Sequence, residues 1–551
     1  MAVEPGRRAA EIRAVFGERA PLALVGFDTP GLQEYVFKTR RPIDVYGGSR
    51  LIADFTNPQV AREQGAVSLY EAVDPPDVVF AGGGSGVLVT AASRAEAIAH
   101  RIEEILWKET RQDLHSVAVV LPVWPSDLAT TPDTPTHALA DLLGSPEPTT
   151  AYRRTIHNLF NLLSRARSAK SPMAIDLGGK ERRCQACGER GLSGSGTLCS
   201  PCDARRGYGF RKKRSDTIAE REVTQPSTFD DLLEGYPQHA LAVLYADGAN
   251  VGGAFQKVAS LAEHRRLSVA VEEAFHDART AALGVIPPPQ RGAEGEHRGE
   301  ASPGLRAQYP ICGGDDLVLI LPAAGAFVAA EKILEVVEGR FDRLRSEKGW
   351  SPEVLQAIAS FGVGIGIAIA APHFPVRFLL EYAHDLLDSA KAKIRQTPNG
   401  GRSAVDFFVL RTGTPLSHSI EGLREKYARN HPSEREKAVF LTCKPYLRTG
   451  FHDFLRKTRH LAQVESSQIH IMRREIERGH EVSQSLWRYQ HARASDKDVR
   501  GWTSFRRHMK CELADVDGLL WQSVAGGDGK NGIATDFLDA AEILDFVEAA
   551  P

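Results

Sequence analysis

Residues Tyr309–Leu321 read YPICGGDDLVLIL: an apolar run, the turn Gly313-Gly314-Asp315-Asp316, and a second apolar run. Glycine supplies the positive φ of a tight hairpin turn, so the stretch predicts antiparallel strands at Tyr309–Cys312 and Leu317–Leu321 with two carboxylates at their tip. Upstream, the apolar run Leu241–Ala246 leads into Asp247, and a helical pattern follows from about Phe255 to Leu283. Downstream come a helix from about Ala326 to Lys348, the strand-like FGVGIGIAIA at Phe361–Ala370, a helix over Val376–Arg395 and an apolar run at Ser403–Val409. The order is β-α-β-β-α-β with an appended αβ, a ferredoxin-like plan.

The first 125 residues repeat this order less clearly: Leu22–Phe27, a helical stretch through Tyr35, the hairpin DVVFAGGGSGVLVT at Asp77–Thr90, the helix Arg94–Thr110 and Ser116–Leu121. An internal duplication explains the shared order and the shared glycine turn, although such an order also recurs by chance in a long α/β chain. The first turn, Gly82-Gly83-Gly84-Ser85, carries no carboxylate.

Asp247 would lie beside the Asp315-Asp316 tip if its strand neighbours the hairpin. Three clustered carboxylates repel one another unless divalent cations neutralise them. Two such ions can activate a hydroxyl and stabilise the leaving oxygen of an in-line phosphoryl displacement. The alternative is an ordinary exposed turn, since Gly and Asp favour turns for conformational reasons alone.

Cys184-x2-Cys187 and Cys199-x2-Cys202 have paired-knuckle spacing, which predicts a closed tetrahedral Zn²⁺ site of structural type. Cys312, Cys443 and Cys511 are scattered and read as buried thiols. At 551 residues the chain should hold several domains, and its net charge of -2 gives no bulk cationic field for nucleic acid. No apolar run of about 18 residues could span a bilayer and the first residues lack a signal-peptide core, so a cytoplasmic protein without membrane contact is expected. Ala129–His137 and Ile286–Gly304 are too rich in Pro, Gly and charge to hold a core, and the second reads as a disordered insert. Beyond Thr414 the chain turns helical. Its interleaved basic and aromatic residues, as in YLRTGFHDFLRKTRHLAQ, suit either an RNA-contacting surface or the solvated face of a bundle.

The segments AVLYADGANVG (Ala242–Gly252) and YPICGGDDLVLIL resemble the second palm domain of the large, polymerase-like subunit of type III CRISPR effector complexes, and LVGFDTPGLQEYVF with YGGSRLIADF resembles its first palm. The resemblance implies an α+β protein with two ferredoxin-like, nucleotidyl cyclase-like palms. These are a degenerate first palm at 1–127 and a second palm at 236–412. Between them would lie a helical zinc-binding domain at 138–235, and after them a C-terminal helical domain at 413–551. It implies a nucleotidyltransferase that makes cyclic oligonucleotides from ATP in antiviral signalling. Asp247, Asp315 and Asp316 would be its catalytic residues, binding two Mg²⁺ or Mn²⁺ ions. Gly313, Gly314, Asn250 and Gly252 would face the nucleotide. Lys391, or alternatively Lys393, would hold triphosphate, and Gly83, Gly84 and Ser85 would serve a second nucleotide. Guide or target RNA and other effector subunits are the implied partners.

The family pattern Asp-x-Asp-Asn-x-Gly is broken at Ala249, where its second acid is missing. That favours the competing expectation of a catalytically silent RNA-binding scaffold. Many family members begin with a His-Asp nuclease domain, for which a first palm entered by about residue 21 leaves no room.

Overall fold

The structure is a computed structural model. It describes residues 22–39, 41–56, 68–71, 73–74, 77–128, 151–169, 183–192, 196–212, 217–218, 221–222, 226, 228–289, 307–397, 401–411, 438–462, 464–493, 521–525 and 531–547. Ala129–His137, residues 290–304 of the expected insert and Cys511 lie outside these.

The first sheet contains β1 (Leu22–Asp28), β2 (Val78–Gly82), β3 (Ser85–Ala91) and β4 (Val117–Val123) in the order β2-β3-β1-β4. Helices Leu32–Phe37 and Pro42–Thr56 follow β1, and Ala92–Glu109 joins β3 to β4. After two two-residue strands, β5 (Thr217–Ile218) and β6 (Arg221–Glu222), the plan returns as β7 (Leu241–Ala249), β8 (Gln308–Gly313), β9 (Asp316–Pro322) and β10 (Gly362–Ala370). The order β8-β9-β7-β10 repeats that of the first sheet. It is extended by β11 (Ala404–Val409) and β13 (Tyr446–Leu447).

Two hydrophobic cores each run through both sheets. One joins Leu24, Val87 and Leu121 to Leu244, Leu319 and Ile367; the other joins Val25 and Phe27 to Val243, Tyr245 and Ile320. Packing is reciprocal: Pro42–Thr56 of the first unit lies on β8 of the second, and Leu261–Gly284 of the second lies on β2 of the first. The two units therefore face each other about a pseudo-two-fold axis.

Helix boundaries shift modestly from expectation. The helix expected from about Phe255 to Leu283 spans Leu261–Gly284, with Ser260 capping it through Glu263 N, and a short helix, Val251–Phe255, precedes it. A short helix, Pro352–Ile358, was not foreseen; Pro in its first turn supplies the fixed φ that starts it. The C-terminal part is less uniformly helical than expected. Helices Arg448–Leu461, Ser466–Ile476, His480–Arg493 and Phe537–Ile543 are accompanied by a three-stranded sheet of β12 (Ala438–Phe440), β14 (Gln522–Ala525) and β15 (Asn531–Ala534). Its strands come from points far apart in sequence, which hides them from local periodicity. Several basic residues of this region are engaged within the fold: Arg448 with Glu338, Arg459 with Glu331, and Lys457 with Asp536. That pattern favours the docked bundle over a free cationic surface. Cys312 and Cys443 are half-buried rather than enclosed.

The helix Val376–Gln396 lies so close to β10 that a Cβ at Gly366 would sit 2.0 Å from the Ala383 carbonyl oxygen, and one at Gly364 would sit 2.8 Å from Lys391 Cγ. The alternating glycines of FGVGIGIAIA thus set the helix height above the sheet. Gly366→Val should destabilise the protein by about 1–3 kcal/mol, the cost of overpacking a filled core, which thermal unfolding would measure.

Candidate active site at the junction of the palms

β7 pairs antiparallel with β9 in a register that sets Asp247 directly opposite Asp316, and the Gly248 amide donates to the Asp315 carbonyl at 3.1 Å. Strand adjacency therefore brings the three expected acids to one end of the sheet. Asp247 is not the last residue of its strand, as expected, but stands two before its end. On the same face of β7, Ala249 packs with Ala390, Ile394 and Ala404. The position of the family's second acid is here part of an apolar cluster.

Burial, and then the charge of Asp247, push Asp315 up to about 6. Burial together with Asp247 and Asp315 pushes Asp316 up to about 7. Asp247 is also raised by burial, although Lys391 pulls against the shift. Lys391 makes a direct ion pair with Asp247, whereas Lys393 is half-buried on the same helix and makes no ion pair with these acids. The carboxylates are thus close enough to oppose one another's ionisation. Among the described residues, however, only the four cysteines bring their ligand atoms within 4.8 Å of one another. Hard oxygen donors that resist joint ionisation fit divalent cations shared along the strand ends better than one ion caged by all three.

Gly314 and Asp315 form the turn between the Gly313–Asp316 pair, with Gly314 at φ 62°. This turn meets the corresponding turn of the first unit: a Cβ at Gly313 would lie 3.1 Å from the Gly83 amide nitrogen. Gly83 and Gly84 have φ of 55° and 80°, and the Ser85 hydroxyl donates to the Gly82 carbonyl at 3.3 Å. Asn250, in the left-handed region, donates from its side chain to the Ser360 carbonyl at 3.0 Å, and space around Gly252 is open. Asn250 therefore braces the β7 end loop against the segment before β10.

A cleft of about 1240 Å³ opens between the units. Gly82, Gly83, Gly313 and Asp316 line its floor, with Arg50 and Gln33 from one side and Arg265, Glu272 and Arg279 from the other. Its volume exceeds the ~300–1,000 Å³ usual for a single small ligand.

Sequence reasoning missed one acid. In the first sheet β1 pairs with β3 so that Phe27 faces Gly86, and continuing that register puts Asp28 opposite Ser85, as Asp247 stands opposite Asp316. Arg167, near the end of helix Ala151–Ala169, pairs with Asp28 at 3.0 Å, as Lys391 on the equivalent helix pairs with Asp247. Both residues line the cleft. The signal lies in the sequence, since both strands run apolar residues into an aspartate. With Gly84 and Ser85 in place of Asp315 and Asp316, the first unit keeps one acid and its cation.

The four cysteines form a compact cluster that could hold one zinc ion. Cys184 N donates to the Arg190 carbonyl at 2.8 Å and Gly188 N to the Cys184 carbonyl at 2.9 Å, the tight turn of a knuckle. Hydrogen bonding from Cys199 and Cys202 drives the Cys187 thiol down, while the contact with Cys187 pushes Cys199 and Cys202 up. A soft dication would let all four ionise together. Beside them the fully buried Arg205 bonds Asp113 at 2.8 Å, approaches Cys202 Sγ at 3.8 Å and stacks over the Tyr35 ring at 4.5 Å. It also donates to the Tyr35 carbonyl, so the cysteine cluster braces helix Leu32–Phe37 at the cleft. The glycines of YGGSR serve this packing: a Cβ at Gly47 would lie 2.0 Å from the Arg205 carbonyl oxygen.

Residues 240–398 match the profile of Cas10/Cmr2, second palm domain. The fold resembles that of a Csm1–Csm4 cassette crystallised with cA4, at 13% identity and TM-score 0.54, covering 98% of this chain and 71% of that one. The cassette with AMPPNP gives 14% and 0.52, covering 98% and 70%. Csm1 in T. onnurineus gives 12% and 0.52, covering 96% and 70%. No curated protein matches the chain by sequence. No helix among the described residues is long and apolar enough to cross a membrane.

Replacing Asp315 and Asp316 with Asn removes mutual repulsion, so the double variant should melt higher than the parent in EDTA at pH 7.5 and lose any stabilisation by Mn²⁺. Since folding raises these pKa values above the ordinary 3.8, the carboxylates cost stability most above about pH 7 and nothing below about pH 4. Melting curves across that range should show the variant's advantage shrinking as pH falls. Metal analysis of the purified chain should find one zinc, and Cys202→Ser should lower both zinc content and melting temperature.

Proposed function

From the premise that this chain carries the second palm of a Cas10-like subunit, we propose that it is a metal-dependent nucleotidyltransferase that joins nucleoside triphosphates, ATP foremost, into cyclic oligonucleotides for antiviral signalling. The observation that carries this reading is the Asp247–Asp316 register with Asp315 alongside, Asp316 lining a cleft shared by two glycine turns. The bound ligands of the solved relatives, cA4 and AMPPNP, belong to the same chemistry.

Asp247, Asp315 and Asp316 would hold Mg²⁺ or Mn²⁺; ions bound there supply charge neutralisation at the reacting phosphate and acidify the attacking hydroxyl. Gly313 and Gly314, without Cβ atoms, admit a triphosphate to the backbone. Lys391, released from Asp247 as that carboxylate turns to other charge, would neutralise phosphate oxygens. A second nucleotide would sit across the junction against Gly83, Gly84 and Ser85, with Arg167 as a cation on that side. Its ribose hydroxyl attacks the α-phosphorus; a new P–O bond forms, the bond to the β-phosphate oxygen breaks and pyrophosphate leaves. The hydroxyl proton passes to solvent. The reaction depends on positioning and charge neutralisation, which is what two facing palms with one set of acids provide. Asn250 and Gly252 would shape the loop beside the first nucleotide. Partner effector subunits and RNA would supply the activating signal, and the chain would work in the cytoplasm.

A second reading, a catalytically silent RNA-binding scaffold, is favoured by one observation: Ala249 sits in an apolar cluster where the family has an acid. Incubation with ATP and Mn²⁺, with and without RNA, separates the two. The first reading expects pyrophosphate and a cyclic product by mass spectrometry, lost more than ~100-fold in the Asp315→Ala, Asp316→Ala variant, in line with removal of groups acting in the transition state. The second expects bound RNA and no product with any triphosphate.

A further inference from the structure

Helix Pro42–Thr56 forms part of the first-palm wall of the cleft, which it lines with Ser49, Arg50, Ile52, Ala53 and Thr56, and it lies on β8 of the second palm. At other positions it carries two carboxylates, Asp44 and Asp54, that are wholly buried. A buried carboxylate is tolerated where counter-charge and hydrogen bonds reach it. Here they come from helix Ser200–Lys212. Arg206 grips Asp44 through two bonds of 2.7 Å, and the Tyr208 hydroxyl donates to Asp54 at 2.7 Å with Lys212 3.5 Å away. Asp54 in turn pairs at 2.8 Å with Arg50, one of the residues lining the cleft.

The two helices also meet backbone to backbone. A Cβ at Gly209 would lie 2.4 Å from the Ile43 carbonyl oxygen, and one at Gly47 would lie 2.7 Å from the Gly209 amide nitrogen. The same helix holds the neighbouring cleft helix, Leu32–Phe37, through the Arg205 bond to the Tyr35 carbonyl. Few apolar side chains anchor helix Ser200–Lys212 itself: its buried residues are Pro201, Cys202, Arg205, Tyr208 and Gly209. Its first turn grows out of the cysteine cluster, which includes Cys202, and Asp203 N donates to the Cys199 carbonyl at 3.0 Å. Closure of four thiolates on a metal ion would therefore contribute directly to the folding of this helix.

We propose that helix Ser200–Lys212 positions the first-palm wall of the cleft, with Arg206, Tyr208 and Gly209 as its positioning residues, so that nucleotide affinity depends on closure of the cysteine cluster. This rests on the reading of the cleft as a nucleotide site. Neither Arg206 nor Tyr208 lines the cleft, so their effect reaches a nucleotide through helix Pro42–Thr56. If the cluster opens, the helix loses its root, Asp44 and Asp54 lose partners, and the wall carrying Ser49 and Arg50 loses its seat on β8.

The test is calorimetric titration of the full chain with AMPPNP and Mg²⁺, joined to hydrogen exchange over residues 42–56. Tyr208→Phe removes one hydroxyl and should weaken AMPPNP binding by about tenfold, since misplacing a positioned group by ~1 Å can cost up to ~100-fold. Removing zinc with a chelator selective for it should weaken binding at least as much and speed exchange over residues 42–56, and restored zinc should reverse both. Asp539→Asn is the control for general loss of stability. It disturbs a buried carboxylate that Thr442 and Tyr446 bond in the C-terminal part, so it should lower the melting temperature and leave AMPPNP affinity at the parental value. Parental AMPPNP affinity in Tyr208→Phe, or in the zinc-free chain, would overturn the proposal; each is readable even if the other preparation folds poorly. A parent chain that binds no AMPPNP, with exchange over residues 42–56 still rising on zinc removal, overturns the nucleotide reading of the cleft itself, and this inference falls with it.

Discussion

Two strands that must pair side by side each deliver an aspartate to the same rung of the sheet, and a third follows at the adjoining turn. Burial first, and then the neighbouring carboxylate charges, push Asp315 up to about 6 and Asp316 up to about 7, so that without a cation the arrangement opposes its own ionisation. Lys391 relieves only Asp247. The rest of the second palm can be understood as what keeps those charges in place: a sheet buried on both faces, with glycines on β10 that let the lysine-bearing helix settle close enough to reach them. Hydrophobic burial supplies the stability from which such a strained cluster is drawn.

The pseudo-two-fold arrangement leaves the first palm with a different set of side chains from the second at the junction. Register and helix position preserve one acid and one cation, Asp28 and Arg167, while the turn has become Gly83-Gly84-Ser85. The interlocked cores and reciprocal helices make the two palms one structural unit, so a change on either side of the cleft can be felt on the other. The cysteine cluster joins the same unit through Arg205, whose buried guanidinium links Asp113, Cys202 and helix Leu32–Phe37. A buried cation with these partners holds a unique geometry because any other would strand a charge.

Much of this was legible in one dimension. Periodicity and turn glycines mark the order of the palm elements within a few residues, and Cys-x2-Cys spacing marks the cluster, because these signals depend on neighbours a few residues apart. Asp315 and Asp316 stand out since turn and carboxylate are adjacent in the chain. Harder cases involve partners far apart: the three-stranded C-terminal sheet, the Lys391–Asp247 pair, the use of Ala249 as a core residue, and the ion pairs that occupy the basic C-terminal helices.

The amino-acid sequence by itself determined that a glycine-turned hairpin carries paired acids, that four thiols can close on a metal, and that an α+β plan occurs twice. Those properties reside in local dihedral preferences and in the spacing of side chains along strands and helices. Only the tertiary structure decided that Asp28 is the counterpart of Asp247, that the two turns touch, and that Gln33 of one palm reaches Tyr245 of the other. Sheet register and domain docking bring together residues far apart in the chain, 212 positions in the case of Gln33 and Tyr245, and no periodic pattern in the chain encodes that distance.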